Sequence, residues 1–160
     1  MTTPKAQIWA QRLAESRQAL LTLLTKLEPD QWHTPVYSEG AQWTVMTAVA
    51  HLIDSERGMS VQVHKTRKGQ ETVPVGFDID HWNAGVQERI GEQTPEQLLA
   101  LLAATRAKTL DVMASLKEEE WALQGRHPSR GVITIEQYYE TIALHEQLHT
   151  ADIQRAVEAN

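Results

Sequence analysis

A chain of 160 residues with a formal net charge of −6 can bury one sizeable core, and it lacks the basic face expected of a nucleic-acid binder. It has no cysteine, which excludes disulfides, Cys-zinc sites and a cysteine nucleophile, and its seven histidines leave His and carboxylate as the available metal ligands. No segment is apolar enough for a membrane span, and the opening MTTPKAQIWAQ has no leader-like apolar core, so a single cytoplasmic domain over 1–160 is expected.

The elements follow in chain order. Thr3-Pro4 offers an N-cap with proline at the first helical position, opening a helix over 3–27 with Leu13, Leu20, Leu24 and Leu27 at helical spacing. Thr44, after the loop SEGAQW, caps a second helix over 44–66 whose apolar stripe is Val45, Val49, Leu52, Met59 and Val63. The basic run His64-Lys65-Thr66-Arg67-Lys68 reads as favourable charge at that helix's C-terminus, with a small anion-binding edge as the alternative.

Next comes KGQETVPVGFDID (68–80), then a short helix from Asp80. The capping boxes Thr94-Pro95-Glu96-Gln97 and Thr134-Ile135-Glu136-Gln137 open the last two long helices, over 95–117 and 134–158. No segment alternates like a strand, so the fold class read here is all-α, a bundle of four helices. The connector is long enough to cross the bundle, which would let the second and third helices run in the same direction. The halves echo each other: LEPDQW (27–32) and LKEEEW (116–121) each precede a loop and a threonine-capped, histidine-bearing helix.

The fourth helix carries HEQLH (145–149), which matches the zinc-protease pattern H-E-x-x-H. A protease of that type needs a third ligand downstream, but only 11 residues follow His149, and positions 152 and 155 are Asp and Arg. The substrate-cradling strand is also absent, so the protease reading is rejected. A di-iron site on Glu146-x-x-His149 needs a second such motif, and the nearest spacing is Asp78-x-x-His81 in the connector. The remaining reading is one ion on His51, His145 and His149, with positions left open for water or substrate. Glu56 falls within the apolar stripe of the second helix, where it requires a partner, and holding the free nitrogen of a metal-bound histidine is one role for it.

Four stretches in order, WTVMTAVAHLIDSE (43–56), FDIDHWN (77–83), HPSRG (127–131) and LHEQLHTADI (144–153), resemble the DinB family of the DinB/YfiT-like metalloenzyme superfamily. The resemblance implies a four-helix bundle of up-down-down-up topology with a long crossover between helices two and three, and a homodimer. The family's metal histidines fall on His51, His145 and His149, its helix-two glutamate on Glu56 and its connector asparagine on Asn83. Relatives include transferases and isomerases that use bacillithiol, mycothiol or glutathione.

The expected function is therefore metal-dependent transfer of a small thiol to an electrophile in stress response or detoxification. Metal-dependent hydrolysis and non-catalytic binding are the alternatives. The metal is zinc or nickel, with iron or manganese as further options. Glu56 and Glu146 are candidate general bases. Asn83, Trp82 and Tyr138 are candidate pocket residues, and core packing is the competing role for the two aromatics. The expected partners are a small molecule and a second copy of the chain, with neither nucleic acid nor membrane.

Overall fold

The computed structural model describes residues 2–159. Four long helices make up most of the chain: α1 (Pro4–Leu24), α2 (Val45–Arg67), α5 (Pro95–Ala114) and α6 (Ile135–Glu158). Two short ones, α3 (Ile79–Ala84) and α4 (Val86–Ile90), lie in the connector. The expected caps form. Thr3, Thr44, Thr94 and Thr134 each accept a backbone N–H from three residues on, and Thr94–Gln97 and Thr134–Gln137 close reciprocal boxes.

The first and third long helices end earlier than their sequence expectation. After Leu24 and Ala114 the chain tightens into 3-10 turns over Pro29–His33 and Glu118–Ala122. Glu28 and Lys117 stand in extended conformation just before these turns, and the Gln31 and Glu120 side chains accept their backbone N–H groups, so neither residue continues a helix.

The chain is mostly helical, and it also carries strands that the sequence reading did not find. Two antiparallel hairpins are present, β1 (Pro35–Ser38) with β2 (Ala41–Thr44) and β3 (Gln124–His127) with β4 (Gly131–Thr134). Each strand has four residues, too few for alternation to register as a pattern. The first turn is Glu39-Gly40, with φ of 52° and 75°, the left-handed pair that matches strand twist in a two-residue loop. The echo between the halves thus has a structural counterpart: helix, 3-10 turn, hairpin, threonine-capped helix, in the same order twice.

The core has two apolar layers. One holds Leu20, Leu24, Trp32, Val49, Ile53 and Leu98; the other holds Trp9, Leu13, Met59, Met113, Trp121 and Tyr139. Between them, each long helix contributes buried polar groups at matching height: Ser16 and Arg17, Glu56, Arg106 and Thr109, and Glu146. Arg106 donates to both Glu56 (2.9 Å) and Glu146 (3.2 Å), while Arg17 Nε donates to Glu146 at 2.9 Å. Two guanidinium groups thus neutralise two carboxylates, which is what makes buried charge tolerable. Other pairings join the elements along the bundle, among them Lys5 with Glu136, Ser60 with Thr109, and Arg67 with Ser115.

Candidate metal centre

Three histidines converge from two helices. His145 and His149 are one turn apart on α6, so both rings leave the same face, and His51 meets them from α2. His145 Nε2 lies 3.1 Å from His51 Nε2 and 3.0 Å from His149 Nε2. A fourth group, which the sequence reading missed, joins them from the tip of the first hairpin. Glu39 places Oε1 3.0 Å from His145 Nε2, and Oε2 3.1 Å from His51 Nε2 and 3.4 Å from His149 Nε2.

These spacings fit a single ion. Two imidazole nitrogens each about 2.05 Å from one metal stand about 2.9 Å apart at a right angle and about 3.3 Å apart at the tetrahedral angle. The observed 3.0 and 3.1 Å fall between those limits. The hydrogen bonding around His149 also leaves the needed lone pair free. Ser38 donates its hydroxyl proton to Asp152, so the His149 Nδ1–H, 3.0 Å away, donates to Ser38 Oγ and Nε2 faces the cluster unprotonated. Trp43 walls the other side, with its ring centroid 4.5 Å from that of His51 and 5.7 Å from that of His149.

The protonation states suit metal binding. Burial, reinforced by the neighbouring imidazoles and opposed by Glu39, lowers the pKa of His51 and of His149, which favours the neutral, ligating form. Burial would raise the pKa of Glu39, but the imidazoles of His145, His149 and His51 set against its carboxylate outweigh that and lower it.

The cluster opens into a cavity of about 420 Å³ between α2, the connector and the tip of the second hairpin. Glu39, His51 and His145 line one end, and Met59, Phe77 and Trp82 supply apolar wall. Asn83 and Trp82 both line it. The Trp82 ring is held by Arg89, whose guanidinium stacks 3.8 Å from the ring centroid and bonds Asp54 through two nitrogens.

Three expected roles change. Tyr138 is fully buried and absent from the cavity wall. Its hydroxyl lies in the protein interior, near Gly125, and burial pushes its pKa up to about 12. Glu56 and Glu146 do not serve the histidines. Five residues beyond His51, Glu56 projects about 140° round the helix from it, and Glu146 projects about 100° from His145. Both carboxylates accept from Arg106, with Thr109 on Glu56 and Ser16 and Arg17 on Glu146, so neither is free to act as a base.

His127, from the HPSRG stretch, lines the cavity as well. Its Nδ1 accepts the backbone N–H groups of Ser129 and Arg130, each at 3.1 Å. Burial, with Arg130 and His145 nearby, lowers its pKa to about 4.

Comparison with solved structures finds several chains of the same fold. YfiT from Bacillus subtilis, described as a probable metal-dependent hydrolase with an unusual four-helix bundle topology, superposes with a TM-score of 0.77 at 22% identity, covering 99% of this chain and 89% of its own. The four-helix bundle protein TT2238 gives 0.66 at 25% identity, over 94% of this chain and 98% of its own. A mycothiol-dependent maleylpyruvate isomerase gives 0.72 at 17% identity, over 91% of this chain and 60% of its own. A comparison with curated proteins finds no match. The sequence itself matches the DinB superfamily across residues 12–153, nearly its whole length, and the chain belongs to that superfamily.

Proposed function

We propose that this protein is a metal-dependent enzyme that transfers a low-molecular-weight thiol to an electrophilic compound, in stress response or detoxification. The observation that carries the proposal is the convergence of three imidazole nitrogens, 3.0–3.1 Å between neighbours, at the end of a cavity of about 420 Å³. His51, His145 and His149 would hold a divalent ion, zinc or nickel before iron or manganese, and Glu39 completes the donor set. Such an ion supplies Lewis acidity, lowering the pKa of a thiol or water beside it.

The chain's own residues do the rest. Glu39 lines the cavity beside the histidines; as the sulfur electron pair bonds the electrophilic carbon, the S–H proton passes to solvent, and where that carbon carries a halide the halide ion leaves with its bonding pair. Trp82, Asn83 and the apolar wall hold the electrophile. The likeness to a thiol-dependent isomerase and the absence of cysteine both support a thiol that arrives as cosubstrate.

Hydrolysis is the second reading, favoured by the likeness to YfiT. Neither Glu56 nor Glu146 would then take the proton from water, because arginines hold both carboxylates. In a third reading, a non-catalytic binder, the ion only anchors a ligand.

The family match over 12–153 supports a single domain, and the pairings of Lys5 with Glu136, Ser16 with Glu146, Glu56 with Arg106 and Arg67 with Ser115 support the up-down-down-up order with a crossover between α2 and α5. A cytoplasmic homodimer acting on small molecules accords with the net charge of −6 and the lack of cysteine, and no described helix is long and apolar enough to cross a membrane.

The test is metal content by mass spectrometry, followed by conjugation of a thiol panel to a chlorodinitrobenzene by the zinc- and nickel-loaded protein. Metal in the parent, its loss in a folded His149→Ala variant, and thiol-dependent turnover support the reading. Turnover of esters or amides without thiol would replace it with hydrolysis, and bound metal without turnover of either kind with the binder.

A further inference from the structure

His127 brings to the cavity a hydrogen-bond donor that the metal centre does not use. Its Nδ1 is turned back into the second hairpin, where it accepts the backbone N–H groups of Ser129 and Arg130 and lies 3.3 Å from the Ser129 hydroxyl. The ring proton therefore sits on Nε2. No described residue accepts it, and the atom is not sealed off: the sealed side-chain atoms without a partner are Gln62 Oε1, Thr66 Oγ1, Thr105 Oγ1 and the Tyr138 hydroxyl. Because His127 is 9% exposed and lines the cavity, its free N–H edge opens there. The ring packs 5.8 Å from that of Tyr138, which precedes His145 on α6 by two turns, about 10.5 Å of rise on nearly the same face. Thr141, one turn before His145, lines the cavity between those levels. The donor thus stands on the α6 side of the cavity. Burial keeps the imidazole neutral, and the Arg130 guanidinium beside the turn is held by Glu140 and Thr141. A neutral, fixed donor suits an oxygen that is uncharged in the substrate and gains charge only during reaction.

We propose that the His127 Nε2–H binds the carbonyl oxygen of an α,β-unsaturated electrophile and holds the charge that this oxygen gains as sulfur adds to the conjugated carbon. This names the electrophile class of the thiol-transfer reading and rests on that reading for the nucleophile. The S–H proton passes to solvent, and the sulfur electron pair forms the S–C bond. The C=C pair shifts toward the carbonyl, whose oxygen takes the negative charge while Nε2–H donates to it. A solvent proton then reaches the α-carbon and restores the carbonyl. His127 keeps its own proton throughout, so only thiol and electrophile are consumed. Two backbone amides fix the ring before substrate arrives, so the hydrogen bond needs no reorganisation when the charge appears.

The test uses zinc- and nickel-loaded protein with the thiol panel, and compares an enone, benzylideneacetone, with benzyl chloride, which has no oxygen. His127→Asn keeps an acceptor for the two turn amides and removes the Nε2–H. It should lower kcat/KM for the enone about 100-fold more than for benzyl chloride. His127→Gln places an amide N–H near the position of Nε2 and should restore much of the enone rate, although the turn loses its acceptor. Metal content of both variants should match the parent, since neither change touches a ligand. A purely structural His127 predicts the opposite order, with the Gln variant the poorer.

Equal losses for the two electrophiles in His127→Asn, no rescue in His127→Gln, or turnover of benzyl chloride without the enone overturns the proposal. If the parent turns over neither with any thiol, the thiol reading fails and the donor is judged on binding alone. The saturated ketone benzylacetone should then bind, by calorimetry, about three- to twelvefold more weakly to His127→Asn than to the parent or His127→Gln, the worth of one hydrogen bond. Equal binding by all three, or none by the parent, overturns the donor as well.

Discussion

Ser38 stands between His149 and Asp152: its oxygen is 3.0 Å from His149 Nδ1, and its proton goes to the Asp152 carboxylate. A hydroxyl with one hydrogen can donate once, so the ring must supply its own N–H and present Nε2 to the centre. The hairpin residue and the last turns of α6 thereby fix the tautomer of a fully buried imidazole.

Ser38→Ala should therefore weaken metal binding roughly 10- to 100-fold while leaving the helices folded. Competition against a chelator of known affinity, beside far-UV circular dichroism, checks it. An unchanged affinity would mean that the tautomer is set elsewhere.

Glu146→Gln separates structure from catalysis. Removing the charge leaves Arg17 and Arg106 short of a carboxylate in the middle of the bundle, and the expected cost is about 3–5 kcal/mol in urea unfolding. Turnover per folded molecule should stay near that of the parent. The opposite pattern, stability kept and turnover lost, would return Glu146 to the role of general base.

His127 should make the protein acid-sensitive. Its folded pKa of about 4 lies below its unfolded value of about 6.5, so between them the unfolded chain binds a proton that the native one does not. Stability is then full above about pH 6.5 and falls as the pH drops toward 4, by at most about 1.4 kcal/mol per unit from this one group. Unfolding curves across that window for the parent and His127→Asn should diverge, with the variant the flatter.

Gly58→Ala should stabilise the fold by about 0.5–1 kcal/mol, because a glycine inside a helix costs backbone entropy and the space beside it is open. A raised melting temperature in thermal denaturation is the expected outcome. A lowered one would show that the position needs its missing side chain for the fold and not for the cavity.

The legible part of the site was the part written in helical periodicity. His145 and His149 share a face by spacing alone, and His51 lies beside an apolar stripe, so two helices packed together bring all three inward. Glu39 was not legible in that way. It reaches the centre from a two-residue turn whose position depends on the pairing of strands four residues long. The stretch SEGAQW held the clue, an acidic residue beside glycine where a tight turn must form.

The partners of Glu56 and Glu146 leave a readable trace in the sequence. Arg17 stands one turn past Leu13, and Arg106 one turn past Leu102, so each places a charge in line with buried leucines. Charges at the same height on facing helices point to one another before they point to a metal. The helix ends shifted for a local reason, since residues before each 3-10 turn are held extended by side-chain caps that a count of apolar positions does not see.

The charged layer across the middle of the bundle also acts as a gauge for the chemistry above it. His145 and His149 ride on the same helix as Glu146, and His51 on the same helix as Glu56. A slip of α6 by one turn would carry its two imidazoles about 5.4 Å away from His51 and leave both arginines facing the wrong turn. Apolar contacts resist such a slip only through shape, since one apolar side chain can move into the place of another. The ion network offers no such exchange, so the height at which three nitrogens meet is set by charges that never touch the metal site.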